Sequence, residues 1–283
     1  MGTMRIDCHA HSSHSDGTDT PAQLMYRARE ANLDVVALTD HDVTSGWDEA
    51  MAAVSDTGVG LVRGMEMSCS ANGITVHLLS YLHDPDDQPL RDACTQTLVS
   101  RATRARRMVD ALAEDFPITW DDVLTHAPAT GPIGRPHIAD ALVAAGVFRD
   151  RNACFAHVLH PRGPYYRRME SPDPVEATRM IRAAGGVPVI AHPRARSRQR
   201  LLPVEVIAAM AEAGLAGIEC FHPDHEPDDV NVCLDIAASY NLEVTGSSDY
   251  HGRAKPNRLG QCVTDPGVFE RLMQQGKLEV IYP

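Results

Sequence analysis

The sequence predicts an α/β fold, a barrel of alternating strands and helices, and three observations carry that reading. About seven short apolar runs rich in β-branched residues are spread along the chain. Helical patterns with recognisable starts and stops lie between several of them. Almost every run delivers a His, Asp or Glu at or near its C-terminal end, the face where barrels gather polar side chains. Alternation implies mostly parallel pairing, and about seven repeats suit a barrel better than an open sheet.

Taken in order, "MRIDCHA" opens with a strand carrying His9, and His11 and Asp16 follow in "HSSHSDG". "TPAQLMYRAREAN" reads as a helix with Thr20 as N-cap and Pro21 in the first turn, ending near Asn32. "DVVALTD" runs into His41, "GLVRGME" ends at Glu66, and "ITVH" places His77 in an apolar strand. Residues 85–165 then break the rhythm. "PLRDACTQTLVSRATRARRMVDALAEDF" is a long helical pattern with Leu98, Ala105, Met108, Val109 and Leu112 on one side, and "RPHIADALVAAG" adds more helix. We read 85–165 as a helical insertion covering one end of a barrel made of residues 1–84 and 166–283. The barrel resumes with "SPDPVEATRMIRAAGG", which starts beside Pro174 and stops at Gly185-Gly186. "GVPVIAH" ends at His192, "PVEVIAAMAEAG" is a helix closing at Gly214, and "LAGIECF" is a further strand. "LEVTGSSDYH" brings Asp249 and His251.

Bulk properties narrow the partners. Hydrophobic residues make up 43% of 283, ample for a core, and the formal charge of −12 argues against a surface for duplex DNA. Seven scattered cysteines without a CxxC pair read as reduced thiols. No apolar leader and no membrane-length apolar run is visible, so a cytoplasmic protein without membrane contact is expected.

His9 and His11, two apart on a presumed strand, share a face and can chelate one ion. With the other strand ends the convergent set becomes His9, His11, Asp16, His41, Glu66, His77, His192, Asp249 and His251. Six imidazoles and three carboxylates exceed what one tetrahedral zinc uses, and suit two or three divalent ions bridged by a carboxylate. The mixed nitrogen and oxygen donors point to Mn²⁺, Fe²⁺ or Zn²⁺ rather than Ca²⁺. The competing readings are a buried polar network without metal and a metal-binding interaction protein without turnover.

In this order, "DCHAHSSHSDG", "ALTDHD", "GMEMSC" with "ITVHLL", "VIAHP" and "GSSDYHG" resemble the motifs of the polymerase and histidinol phosphatase (PHP) family. The resemblance implies a distorted seven-stranded barrel and a cluster of two or three metals, Mn²⁺ foremost, that hydrolyses phosphate esters. It also implies a division of labour. His9, His11, Glu66 and Asp249 would hold one ion; Glu66 would bridge to a second completed by His77 and His192; Asp16, His41 and His251 would form the third site. The expected nucleophile is a metal-bridging hydroxide attacking phosphorus in line, with His192 and His251 as candidate helpers at the leaving group.

Substrate contacts are expected from cationic groups around the mouth. "GPIGRPHIADAL" places Arg135 and His137 at a helix start with Pro136 at its first position, suited to phosphate. Of the arginines at 101, 104, 106 and 107, Arg104 is the expected contact and the others are expected in solvent. Lys255 and Arg258 follow the last motif, and His222 and His225 line another loop. Such groups suggest a second phosphate on the substrate. "GRPHIADAL", the insertion and "SSDYHG" resemble the stand-alone branch that removes the 3′-phosphate from nucleoside 3′,5′-bisphosphates and is linked to 5′-to-3′ trimming of short RNA. The resemblance therefore implies a nucleotide substrate, 3′-phosphoadenosine 5′-phosphate, converted to AMP and phosphate. Histidinol-phosphate phosphatase is the nearest rival, but its cationic substrate would want an acidic pocket.

Overall fold

The computed structural model describes residues 4–127, 133–196 and 200–283. All the expected strands form, as β1 (Ile6–Ala10), β2 (Val35–Leu38), β3 (Gly60–Ala71), β4 (Ile74–Tyr81), β5 (Val187–Ile190), β6 (Gly217–Phe221) and β7 (Glu243–Gly246). They lie side by side in chain order in one sheet. The sheet curls on itself: Ala10 bridges Tyr250, just past β7, and the His11 N–H donates to the Tyr250 carbonyl at 2.8 Å. Asp7 stitches the same seam by accepting from the Ser248 and Gly260 N–H groups at 3.0 and 2.8 Å. The result is a nearly closed, distorted α/β barrel.

Four of the strand pairs are parallel, but β4 runs antiparallel to both β3 and β5. The alternation of strand and helix fails there. Asn72 and Gly73, at φ 51° and 72°, turn β3 directly into β4 as a two-residue hairpin. Such turns favour Asn-Gly because both central residues occupy the left-handed region. Two expectations change with it. Glu66 sits inside β3 rather than at its end, and His77 lies in the first half of β4, opposite Ser68. Because β4 runs backwards, its beginning reaches the same rim as the ends of the parallel strands.

The helices are α1 (Pro21–Glu30), α2 (Trp47–Ala52), α3 (Val54–Thr57), α4 (Gln88–Leu112), α5 (Trp120–Leu124), α6 (Arg135–Ala144), α7 (Arg151–His157), α8 (Pro174–Ala183), α9 (Val204–Glu212), α10 (Pro227–Tyr240) and α11 (Pro266–Met273). Thr20 caps α1 in a reciprocal box with Gln23, as its position ahead of Pro21 suggests. Neighbouring residues of one strand serve different cores. Val36 and Leu38 pack on Leu24 and Met25 of α1. Val35 and Ala37 join Val62, Leu79 and Val189 in a cluster that Phe269 and Leu272 of α11 complete. That cluster plugs the barrel end from which the parallel strands start. The Tyr81 hydroxyl crosses the interior to donate to the Cys8 carbonyl at 2.8 Å.

The segment from α4 to α7 builds a core of its own, with Met108, Val109 and Leu112 against Val123, Ile138, Leu142 and Leu159. The first half of α4 instead sends Leu90 and Cys94 onto the barrel. One 25-residue helix therefore ties the two packing units together. Leu98, expected on its apolar face, is only half-buried. All seven cysteines are free, and among the described residues no helix is long and apolar enough to cross a membrane.

Candidate metal centre and its arginine wall

The nine residues expected to converge do meet at one rim. Glu66 Oε1 stands 3.0 Å from both His77 Nδ1 and His192 Nε2. Its other oxygen is 3.0 Å from His41 Nδ1 and 3.2 Å from His11 Nε2. Asp249 Oδ1 lies 3.5 Å from His9 Nε2 and 3.4 Å from His11 Nε2, while His251 Nε2 lies 3.1 Å from Asp16 Oδ1. Four groups have ligand atoms within 4.8 Å of one another: His11 with Asp16, His41 and His251; His9 with His11 and Asp249; His9 with Glu66 and His192; His41 with Glu66 and His77. Each group shares a residue with the next, through His11, His9, Glu66 and His41, so the donors form one closed ring. This is less partitioned than the family resemblance implies, because His9, His11 and His41 each serve two groups. His14 stays outside, its Nδ1 paired with the Ser45 hydroxyl at 2.8 Å.

The ring has the polarity of a cation site. A buried polar atom without a partner costs about 1–3 kcal/mol. His41 Nδ1, His77 Nδ1, His251 Nε2 and Asp16 Oδ1 nevertheless make no hydrogen bond, although each lies close to an oppositely disposed partner. They aim at the space between them, not at one another. His9 and His11 say the same through their protons. His9 Nδ1–H donates to Glu219 at 3.2 Å. The Ser15 hydroxyl donates to Asp40, so it must accept from His11 Nδ1–H, at 3.3 Å. With Nδ1–H committed on both rings, the two Nε2 atoms are left to face each other at 3.0 Å, an approach that needs a positive charge between them, either a shared proton or a metal ion. The mixed nitrogen and oxygen donors fit a divalent transition metal.

Electrostatics agree. Burial opposes charge on Glu66, but the imidazoles of His77, His41 and His9 outweigh it and hold the carboxyl well below its usual range. Burial pushes His192 and His251 down to about 4, leaving neutral rings. Burial also opposes a proton on His9 and His11, but the surrounding carboxylates overcome it and raise both. In the metal-free ring, a proton answers the negative charge that a cation otherwise would. The backbone is held equally tightly: His192 and Asp249 sit at φ 30° and 52°. Gly252 must be glycine, since a Cβ there would fall 2.0 Å from Thr18 Oγ1 of the first loop.

Sequence reasoning missed three carboxylates that support the ring. Asp40 accepts from the Ser12 N–H and from the hydroxyls of Ser12 and Ser15, fixing the loop that carries Asp16. Asp42 accepts from the Ser68 N–H and hydroxyl. Glu219 lies fully buried in β6. The alternation "TDHD" and a lone acid inside the apolar run "GIECF" were the available signals.

Beside the ring stands a wall of arginines. The buried face of α4 includes Thr97, Arg101, Arg104, Ala105 and Met108, so Arg101 is not in solvent as expected. Its Nη2 donates to Asp42 at 2.8 Å and to the Ser68 hydroxyl. Arg104, the expected substrate contact, is buried, and Arg106 and Arg107 are exposed. Burial, then the charges of Arg135 and Arg101, push Arg104 down to about 9. Helix α6 starts at Arg135, one residue earlier than expected, with Pro136 second. Arg135 donates to the Leu159 carbonyl at 3.3 Å, and its guanidinium lies 5.4 and 5.7 Å from the rings of Phe155 and Tyr166. Nε of Arg101 and of Arg104 have no hydrogen-bond partner among the described residues.

The remaining candidates divide. His137 Nδ1 accepts from the Gly134 N–H at 3.1 Å, so it caps its own helix with its ring near Asp16. Lys255 Nζ donates to Asp249 Oδ2 at 2.9 Å. His222 Nδ1 accepts from the Asp224 N–H, which leaves a proton on Nε2, 3.6 Å from Asp249 Oδ2. His222 is therefore a donor at the rim and not a metal ligand. Both nitrogens of His225 are used, by the Cys220 carbonyl and the Arg194 N–H, and Arg258 is exposed.

Comparison with known proteins places this geometry. A PHP domain model matches residues 7–114, from β1 through α4. The chain is 31% identical over 280 residues to a 3′,5′-nucleoside bisphosphate phosphatase of Chromobacterium violaceum, covering 98% of each. It is 31% identical over 254 residues to a phosphoribosyl 1,2-cyclic phosphate 1,2-diphosphodiesterase of Eggerthella lenta, covering 87% of this chain and 94% of that one. A crystal structure of a protein assigned as a metal-dependent phosphoesterase, from Bifidobacterium adolescentis, superposes with a TM-score of 0.93 at 41% identity over 97% of each chain. With likeness running from end to end over a ring of His, Asp and Glu donors, the chain belongs to the PHP-domain family.

Proposed function

We propose that the protein is a metal-dependent phosphoester hydrolase that removes the 3′-phosphate from nucleoside 3′,5′-bisphosphates, with 3′-phosphoadenosine 5′-phosphate giving AMP and phosphate. One observation carries the substrate choice: three arginines, the buried Arg101 and Arg104 and the half-buried Arg135, crowd together beside the donor ring. Like charges gather in this way when an anion is to be bound there. Arg135 is held by aromatic faces, which leaves its charge for a ligand.

The donor ring would hold two or three divalent ions, Mn²⁺ foremost, through His9, His11, Asp16, His41, Glu66, His77, His192, Asp249 and His251. When bound, such ions lower the pKa of water and neutralise charge on the phosphoryl group. The chain's own residues do the rest. The arginine wall anchors the phosphate that is not cleaved, and this fixes which ester reaches the ring. His222 presents its Nε2–H at the rim, and Lys255 a second donor. Histidinol phosphate has a single phosphate, which the donor ring would take, and so no second anion for the arginines.

The test is phosphate release after loading with Mn²⁺, from a nucleoside 3′,5′-bisphosphate, histidinol phosphate, a ribose cyclic phosphodiester and a short 5′-phosphorylated RNA. The bisphosphate should have the highest kcat/KM. RNA trimming at a similar rate would widen the substrate class while keeping the same anchor. Preference for histidinol phosphate or the cyclic diester would reject the substrate assignment, and inertness toward all four would reject hydrolysis.

A further inference from the structure

Strand β6 carries a single charged residue, Glu219, and its side chain is completely buried. A lone carboxylate is costly in such a place. This one is answered three times. Its Oε1 accepts from His9 Nδ1–H at 3.2 Å and from the Ser247 hydroxyl, and its Oε2 accepts from the His192 N–H at 2.7 Å. Burial opposes its charge, but the imidazoles of His9, His222 and His192 prevail and hold it ionised.

The three donors come from β1, from the turn after β5 and from the turn after β7. Two of them, from His9 and His192, do something specific for the ring. The bond to His9 commits a proton to Nδ1, so Nε2, which faces Glu66 and Asp249, is the nitrogen left to bind a cation. The bond to the His192 N–H holds a residue whose φ of 30° is outside the comfortable range for a side chain. Both histidines belong to one donor group, His9, Glu66 and His192.

We infer that Glu219 is a positioning residue that sets the divalent-cation affinity of the His9–Glu66–His192 group, acting through the His9 tautomer and the His192 backbone without touching ion or substrate. The inference rests on the proposed reading of the ring as a metal centre. A glutamine at this position would keep the volume, but its amide nitrogen would confront either the His9 or the His192 N–H, donor against donor.

Calorimetric titration of metal-stripped protein with Mn²⁺, together with a count of retained ions, tests it. E219Q should lose about 10- to 100-fold in affinity at one class of site while another class stays near wild type. S247A, which leaves both histidine contacts in place, should bind as wild type does. A second measurement does not depend on a variant that folds. In Zn²⁺-loaded wild type, nitrogen NMR should find His9 protonated at Nδ1 and bound through Nε2. Wild-type affinity in folded E219Q, or a His9 without a proton on Nδ1, would overturn the role of Glu219 alone. Wild-type protein that takes up neither metal would overturn the metal centre itself, and the inference with it.

Discussion

The barrel mouth and the arginine wall are built on opposite plans. At the mouth, most donors stand at strand ends or in the turns that follow, and the backbone is held tightly, with His192 and Asp249 at positive φ. At the wall, the cations come from α4 and α6, which share a core that excludes the barrel strands. Each wall arginine is fixed differently: Arg101 by Asp42 and Ser68, Arg135 by Phe155, Tyr166 and a carbonyl. The difference separates two tasks. A rigid rim suits chemistry common to all phosphate esters, and a separately packed helical layer suits selection among them.

That division is exposed to experiment. The largest effect belongs to the rim. Glu66→Ala removes the carboxylate shared by two donor groups, and kcat should fall on the order of 10³-fold or more on every phosphate ester, with loss of bound metal. Retained metal and retained turnover of a simple aryl phosphate would dissolve the contrast. Next comes the wall. Arg104→Ala should raise KM for a nucleoside bisphosphate about 10- to 100-fold, the equivalent of one charged hydrogen bond, while an aryl phosphate is hydrolysed much as before. Equal losses on both substrates would place Arg104 in the chemistry instead.

A smaller effect concerns pH. In the metal-free ring His9 and His11 are raised above the ordinary value of 6.5, the second to about 9. Their stabilisation is fully present below pH 6.5 and is lost as pH rises through about 9. Chelator-treated protein should therefore lose a few degrees of Tm between those limits, and Mn²⁺-loaded protein should not. A Tm that climbs over that range without metal would contradict the protonated ring. The smallest effect is expected at Arg106, exposed on α4, paired with Asp110 one turn on and lying 5.5 Å from the Trp120 ring. Arg106→Ala should change stability by less than about 0.5 kcal/mol and leave KM alone. A KM shift like that of Arg104 would mean that burial is not what distinguishes the wall.

The rim was largely legible in the chain. His9, His11, His41, His192, Asp249 and His251 are marked by where short apolar runs end, and a strand end is a local property. His77 and Glu66 were found for a reason that needs amending. They reach the rim because Asn72-Gly73 folds β4 back along β3, and that dipeptide was a readable hairpin signal. Glu219 was harder, because a single acid in an apolar strand declares burial but not its partners. Arg101 was misplaced because helical periodicity assigns a face without saying what covers that face.

Local order thus sufficed for the strands, for several helices with their starts, and for which polar side chains stand at strand ends, since periodicity and turn chemistry act over a few residues. Which donors share an ion-sized space, which imidazole nitrogen carries the proton, and which arginines lose their water depend on contacts as distant as that between His9 and Glu219, 210 positions apart. Those were decided by closure of the barrel and by docking of α4 upon it. Close packing brings remote groups within hydrogen-bond reach, and no short window of sequence encodes that distance.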